Sequence, residues 1–103
     1  MQFEVFVNPI AAARRHYPFV VALQSDFVDG AREQIVAPLV PRKSLSAIAG
    51  RLTPIVVVNS SELVVLVPAL TGVRRGDLKQ CIASLAPART EVLAAIDLLF
   101  FGV

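Results

Sequence analysis

The stretch from residue 55 to residue 67 leaves this chain little choice of fold. Ile55-Val56-Val57-Val58 and Leu63-Val64-Val65-Leu66-Val67 are two β-branched runs, parted by the polar residues Asn59-Ser60-Ser61 and stopped by Pro68. Side chains branched at Cβ fit a pleated surface better than a helix. Polar turn residues between two such runs predict a β-hairpin.

Periodicity extends that reading along the chain. Over residues 3–7 apolar side chains alternate with Gln2, Glu4 and Asn8, Phe6 excepted, which is the period of a half-buried strand. Residues 11–16 read as an exposed loop after Asn8-Pro9, and residues 17–24 supply a second strand. Beyond the turn residues Asp29-Gly30, residues 34–39 predict a third short strand, whose Pro38 favours a sheet edge or strand end. Residues 40–44 read as a loop. Residues 44–52 are ambiguous, because Leu45, Ile48 and Leu52 recur at helical spacing while Gly50 and Pro54 limit any helix to a turn or two. Residues 73–84 are mixed, with Arg74, Arg75, Gly76 and Asp77 at a surface turn.

Pro87 suits the first turn of a helix. Ala88, Val92, Ala95, Ile96 and Leu99 then fall on one face, predicting a helix to about residue 100. Leu93, Leu98 and Phe100 lie off that face, so the helix is expected to be buried on more than one side, part of it at a subunit interface.

A chain of 103 residues fits one domain, residues 1–103. A domain of this size hides only about 60 to 70% of its unfolded surface, yet 55% of the residues are hydrophobic. Apolar surface therefore remains for a partner. No apolar run reaches the roughly 20 residues of a membrane-spanning helix, and Met1-Gln2-Phe3-Glu4-Val5 lacks the basic segment of a signal peptide. The expectation is a cytoplasmic homo-oligomer without a membrane partner. Cys81 alone can form neither an internal disulfide nor a multi-cysteine zinc site. The net charge of +2 is no dense basic stripe of a nucleic-acid binder.

Candidate catalytic groups are sparse. His16, beside Arg14, Arg15 and Tyr17, reads as a solvated loop histidine rather than a general base. Cys81, next to Ile82, reads as a structural thiol rather than a nucleophile. Asp26 and Asp29 read as turn residues rather than a metal pair. Gly30, Gly50, Gly72, Gly76 and Gly102 are too scattered for a phosphate loop. No catalytic residue, metal or cofactor is therefore expected. The basic pairs Arg14-Arg15, Arg42-Lys43 and Arg74-Arg75 fall in loops, where they serve solubility or meet an acidic partner protein. The chain ends on Phe100-Phe101-Gly102-Val103, an unusual close because most termini are polar and frayed. Phe100 is expected to pack, while a Phe101 facing outward makes a recognition anchor.

Nearly end to end, the chain resembles the CcdB family of toxins. Met1-Gln2-Phe3 opens it as the family opens, and Tyr17 through Asp29, with the core Val21-Ala22-Leu23-Gln24-Ser25-Asp26, is similar to the family's tyrosine-led strand ending in Val-Gln-Ser-Asp. Ile35-Val36-Ala37-Pro38-Leu39 resembles its Val-Ile-Pro-Leu element, and Leu52-Thr53-Pro54-Ile55-Val56 its proline-led hairpin. The segment from Ala95 to Val103 is similar to the family's closing helix, in register to the last residue.

The resemblance implies a mainly β fold with one C-terminal α-helix: an SH3-like antiparallel β-barrel of the CcdB/MazF type with a small extra sheet. It further implies a symmetric homodimer that performs no chemistry. Such a toxin binds the A subunit of DNA gyrase through Phe101, Gly102 and Val103, traps the cleaved DNA complex, and is neutralised by a CcdA-like antitoxin. DNA is then reached only indirectly, through the antitoxin complex. In the family the aromatic, usually tryptophan where Phe101 stands, stacks on a gyrase arginine, a cation–π contact worth about 0.5 to 2 kcal/mol. Gly102 allows close backbone approach, and Val103 with its carboxylate fills the end of the site. Two alternatives stand beside this one: an endoribonuclease of the MazF type on the same barrel, and a homologue that has lost gyrase activity. Ala22 and Arg74 depart from positions where family members can carry aspartate and proline.

Overall fold

The computed structural model describes residues 1–26, 32–44 and 50–103. Among these residues seven strands form one antiparallel sheet: β1 (Glu4–Val7), β2 (Phe19–Ala22), β3 (Glu33–Pro41), β4 (Ile55–Val58), β5 (Ser61–Val65), β6 (Thr71–Arg74) and β7 (Cys81–Ser84), followed by the helix α1 (Arg89–Phe101). The order across the sheet is β4-β5-β3-β2-β1-β7, with β6 as a further partner of β3. The sheet curls into a half-barrel around its main apolar core, the mainly β architecture with a C-terminal helix expected from the sequence.

The hairpin forms where the β-branched runs place it. Asn59 and Ser60 both adopt positive φ, 49° and 68°, giving a two-residue turn whose twist matches that of its strands. Ser61, read from the sequence as part of the turn, opens β5 opposite Val58.

Pro38 corrects the sequence reading, because β3 is the longest strand and lies between partners. Its first half pairs with β6, from Glu33↔Arg74 to Val36↔Thr71, and its last residues with β5, from Leu39↔Val65 to Pro41↔Leu63. Pro38 sits where one partner gives way to the other. Its carbonyl accepts from the Leu66 N–H at 2.9 Å, next to the turn of Val67–Ala69 that joins β5 to β6. The nitrogen shares that side of the strand, so the missing N–H falls where the ladder is interrupted and leaves no bond unmade. The expected loop from residue 40 accordingly begins only after Pro41.

Residues of alternate parity pack on opposite faces. Val5, Val21, Ala37, Leu39, Leu63 and Val65 face the helix side, where Val92 and Ala95 of α1 complete the main core. Phe6, Val20, Ala22, Val36, Val73 and Leu78 form a smaller core on the other face. Residues 73–84, mixed in sequence, hold both β6 and β7, too short and too interrupted to show a period. The ambiguous 44–52 segment lies largely outside the described residues.

The helix departs from expectation in two ways. It starts at Arg89, because Pro87 belongs to a preceding 3-10 turn, Ala86–Ala88. It is also buried on one side only: Val92 and Ala95 are covered, Leu93, Ile96 and Leu98 are half-buried, and Leu99 is exposed. The helix covers one surface of the curled sheet, and among the described residues Leu99, Phe100 and Phe101 stay largely exposed.

Candidate functional site

Among the described residues, the end of α1 is rich in exposed apolar side chains. Phe100, Phe101 and Val103 have 61%, 75% and 77% of their surface open to solvent. Phe100, expected to pack, touches only the rim of a groove of about 470 Å³ bordered by Ile96, Ile35, Leu70 and Gly72. Helical geometry swings Phe101 about 100° further round, clear of the sheet altogether.

Gly102 ends the helix in the left-handed region, φ 75°, and its N–H donates to the Leu98 carbonyl at 3.0 Å. This is the αL cap that glycine adopts without steric penalty. A Cβ built on Gly102 would meet no atom within 4 Å. Within the chain, glycine is therefore required by conformation and not by crowding. The three residues Phe101, Gly102 and Val103 thus stand together, free of the core, at one corner of the half-barrel.

The other candidates from the sequence lie elsewhere. His16 is exposed in the loop after β1, its ring edge-on to Tyr17 with centroids 6.5 Å apart. Cys81 is exposed on β7, and its Sγ donates to the Ala83 carbonyl at 3.2 Å. Partial burial, and then a hydrogen bond with Glu4, push the thiol pKa up, opposite to what a nucleophile needs. Asp26 caps the N-terminus, accepting from the Gln2 N–H at 3.1 Å and lying 3.2 Å from the Met1 ammonium. Its proposed companion Asp29 is outside the described residues. Among the described residues no three His, Cys, Asp or Glu side chains are grouped to hold a metal.

The basic pairs divide between the two ends of the sheet. Arg14 and Arg15 follow β1, and Arg42 and Lys43 form the 3-10 turn after β3. The register Val7↔Phe19 and Phe19↔Leu39 brings these two segments to the same end. Arg42 there meets Glu62 at 3.1 Å, an exposed pair. Arg74 and Arg75 lie at the opposite end with Arg32. The sequence could not show this division, because it depends on strand register.

A cleft of about 690 Å³, larger than the groove beside Phe100, opens at the hairpin end between the edge strands β4 and β7. Phe19, Val58, Leu63 and Ile82 line it, and Arg42, Lys43 and Glu62 stand at its mouth. Sequence reasoning did not find it, since the strands that line it, from Phe19 in β2 to Ile82 in β7, are spread along the chain.

No helix among the described residues is long and apolar enough to cross a membrane. A direct comparison with curated protein sequences gives no match. The family model described as CcdB protein matches residues 2–102, all but the first and last residues. That span takes in every strand, the helix and Phe101-Gly102 at its tip, and the chain belongs to the CcdB family, the toxins of toxin–antitoxin pairs.

Proposed function

We propose that this toxin binds the A subunit of DNA gyrase through Phe101, Gly102 and Val103, and poisons the enzyme by trapping its cleaved DNA complex. The observation that carries this reading is the exposure of Phe101 and Val103 on a capped helix end. Apolar side chains left in water at the close of a folded domain cost stability and serve no packing, which favours a recognition role. Family membership supports the same target.

The protein acts as a cytoplasmic homodimer of single-domain chains, with a two-fold axis that matches the two A subunits. The uncovered side of α1, with Leu99 and Phe100, supplies apolar area for the subunit contact. The toxin makes and breaks no covalent bond itself, and a cognate antitoxin with a flexible acidic tail silences it. Phenylalanine in place of the family's usual tryptophan keeps a π-face for the gyrase arginine but offers less area and no N–H.

A supercoiling and DNA-cleavage assay with purified gyrase tests the proposal. Wild-type protein should inhibit supercoiling and accumulate cleaved DNA, while Phe101→Ala should do neither at the same concentration. Cleavage of RNA by the pure protein, with gyrase untouched, would move the assignment to the MazF type.

A further inference from the structure

We infer that the hollow at the β6 end of the sheet, lined by Arg32, Arg74, Arg75, Gly76 and Asp77, binds a phosphate group, carried by a nucleotide or by a nucleic-acid backbone. The site is separate from the C-terminal tail and stands whether or not gyrase is the target.

The three arginines are apart in sequence and gathered by the ladder. Arg32 precedes β3, Arg74 closes β6, and Arg75 opens the 3-10 turn that follows, Arg75–Asp77. The register Glu33↔Arg74 sets the two strand ends side by side, and the Arg75 N–H donates to the Arg32 carbonyl at 2.9 Å. The turn is pinned on both flanks, because Val73 and Leu78 are buried in the smaller core and the Leu78 N–H donates to the Arg75 carbonyl at 3.2 Å. The three stems therefore leave from fixed backbone around a hollow of about 610 Å³. A ligand there has little backbone left to order.

Charge favours an anion. Three guanidinium groups meet in one hollow whose wall includes a single carboxylate among the described residues, that of Asp77. The two other acids nearby are turned or tied elsewhere. Glu33 lies across the ladder from Arg74, but its Oε2 is 3.3 Å from where a Cβ on Gly72 would stand, so its carboxylate leans along β6 away from the turn. Asp26, near enough for the charge of Arg75 to act on it, accepts from the Gln2 N–H at 3.1 Å and lies 3.2 Å from the Met1 ammonium. Among the described residues neither Arg32 nor Arg74 forms an ion pair. Like charges held together without a counter-charge repel, and an anion seated among them removes that repulsion.

The walls select the kind of anion. A phosphate presents several oxygens in a tetrahedral array, and guanidinium forks set on separate backbone positions can each take up a pair. A carboxylate fills one fork and leaves the others unmet. None of the described residues that line the hollow carries an aromatic or a large apolar side chain, so nothing stacks on a base. The site reads phosphate and not nucleobase.

Its position sets it beside the tail. Gly72, on the rim of the groove next to Phe100, stands two residues before Arg74 on the same face of β6, about 7 Å along the strand. The nine residues of β3 separate the hollow from Arg42 and Lys43.

Full-length protein at low salt is titrated with inorganic pyrophosphate, ATP, GTP and a fluorescein-labelled short duplex DNA, with acetate at equal ionic strength as the control anion. Pyrophosphate should raise the melting temperature where acetate does not, and ATP and GTP should bind alike. Arg32→Gln/Arg74→Gln, at two exposed positions, should weaken binding about tenfold or more, while Arg42→Gln/Lys43→Gln leaves it unchanged. Asp77→Asn should tighten it about two- to threefold by removing the carboxylate in the wall. The two sources separate by affinity. Tighter binding of the duplex than of pyrophosphate, falling steeply with salt, assigns a nucleic-acid backbone, and the reverse order assigns a small phosphorylated ligand. Four results overturn the inference: no response to pyrophosphate or to DNA, equal stabilisation by acetate, a tenfold preference between ATP and GTP, or equal loss in the Arg42/Lys43 variant.

Discussion

The two ends of this chain are both rich in aromatic and apolar residues, and the fold treats them in opposite ways. At the N-terminus Phe3 is 5% exposed, its N–H donates to Ala22 and its carbonyl accepts from Leu85, both at 2.7 Å. The bonds and the buried ring hold it at a φ of 68°, a region costly for a bulky residue. The Met1 ammonium, at 3.3 Å from Glu4 and 3.2 Å from Asp26, closes the same corner. At the C-terminus Phe101 has no such tie beyond its own helix. A phenylalanine buried at the expense of backbone strain belongs to the fold, and one left in water after the core is complete is available to a partner.

Deleting residues 101–103 tests the contrast most severely. Growth inhibition should be lost entirely, while stability changes by no more than about 1 kcal/mol, as for other surface changes. Loss of folding on truncation, seen by circular dichroism, would make the tail structural after all.

Single substitutions sharpen it. Phe3→Ala should cost about 3 to 5 kcal/mol in chemical denaturation, the range for emptying a buried aromatic site, whereas Phe101→Ala should stay within about 0.5 kcal/mol. Equal costs would erase the distinction. Gly102→Ala comes next: placing a Cβ at φ 75° should destabilise by about 1 kcal/mol and fray the last helical turn, read as faster amide exchange at Gly102 and the residue after it.

The smallest effect is on pH dependence. The Gln2 N–H, then the Met1 ammonium, lower the pKa of Asp26. Burial opposes the charged amine, but hydrogen bonds and charge from Asp26 and Glu4 outweigh it and raise its pKa. The stability from Asp26 is therefore present above its ordinary value of 3.8 and is lost as pH falls through its lowered folded value. That from the amine is present below its ordinary value of 8.0 and is lost as pH rises through its raised folded value. Melting temperatures of wild type and Asp26→Asn should converge well below pH 3.8 and draw closer well above pH 8.0. A constant gap across the range would remove the N-terminal clamp from the account.

What the sequence revealed follows the physics of local signals. The hairpin was legible because β-branched runs and a polar turn act within a dozen residues, and the C-terminal helix because its apolar spacing is local too, although Pro87 marked the turn before it rather than its first turn. Pro38 was misplaced because its tolerance depends on where β3 changes partners, which no neighbouring residue encodes. β6 and β7 were missed because Gly72, Arg74 and the polar residues around Lys79 break the alternation. For the candidate site, Phe101, Gly102 and Val103 were singled out from their position and from family likeness, and their exposure was the part the structure added. The exposure of Phe100 was not, since apolar character says only that a side chain prefers cover, and the cleft at the hairpin end required the strand register itself.

The left-handed cap at Gly102 has a consequence for how a partner meets this end of the molecule. Phe101 rides on the last turn of a formed helix, and the chain turns off the axis at a fixed residue, so most of the tail is ordered before any encounter. A flexible terminus of the same composition would give up about 0.5 to 1.5 kcal/mol for each side chain it had to immobilise. Here the helix and its cap already fix the backbone of Phe101 and Gly102, so the backbone part of that loss is avoided. For the contact proposed above, the helix end is thus a finished shape to which a partner surface conforms, rather than one that forms on meeting it.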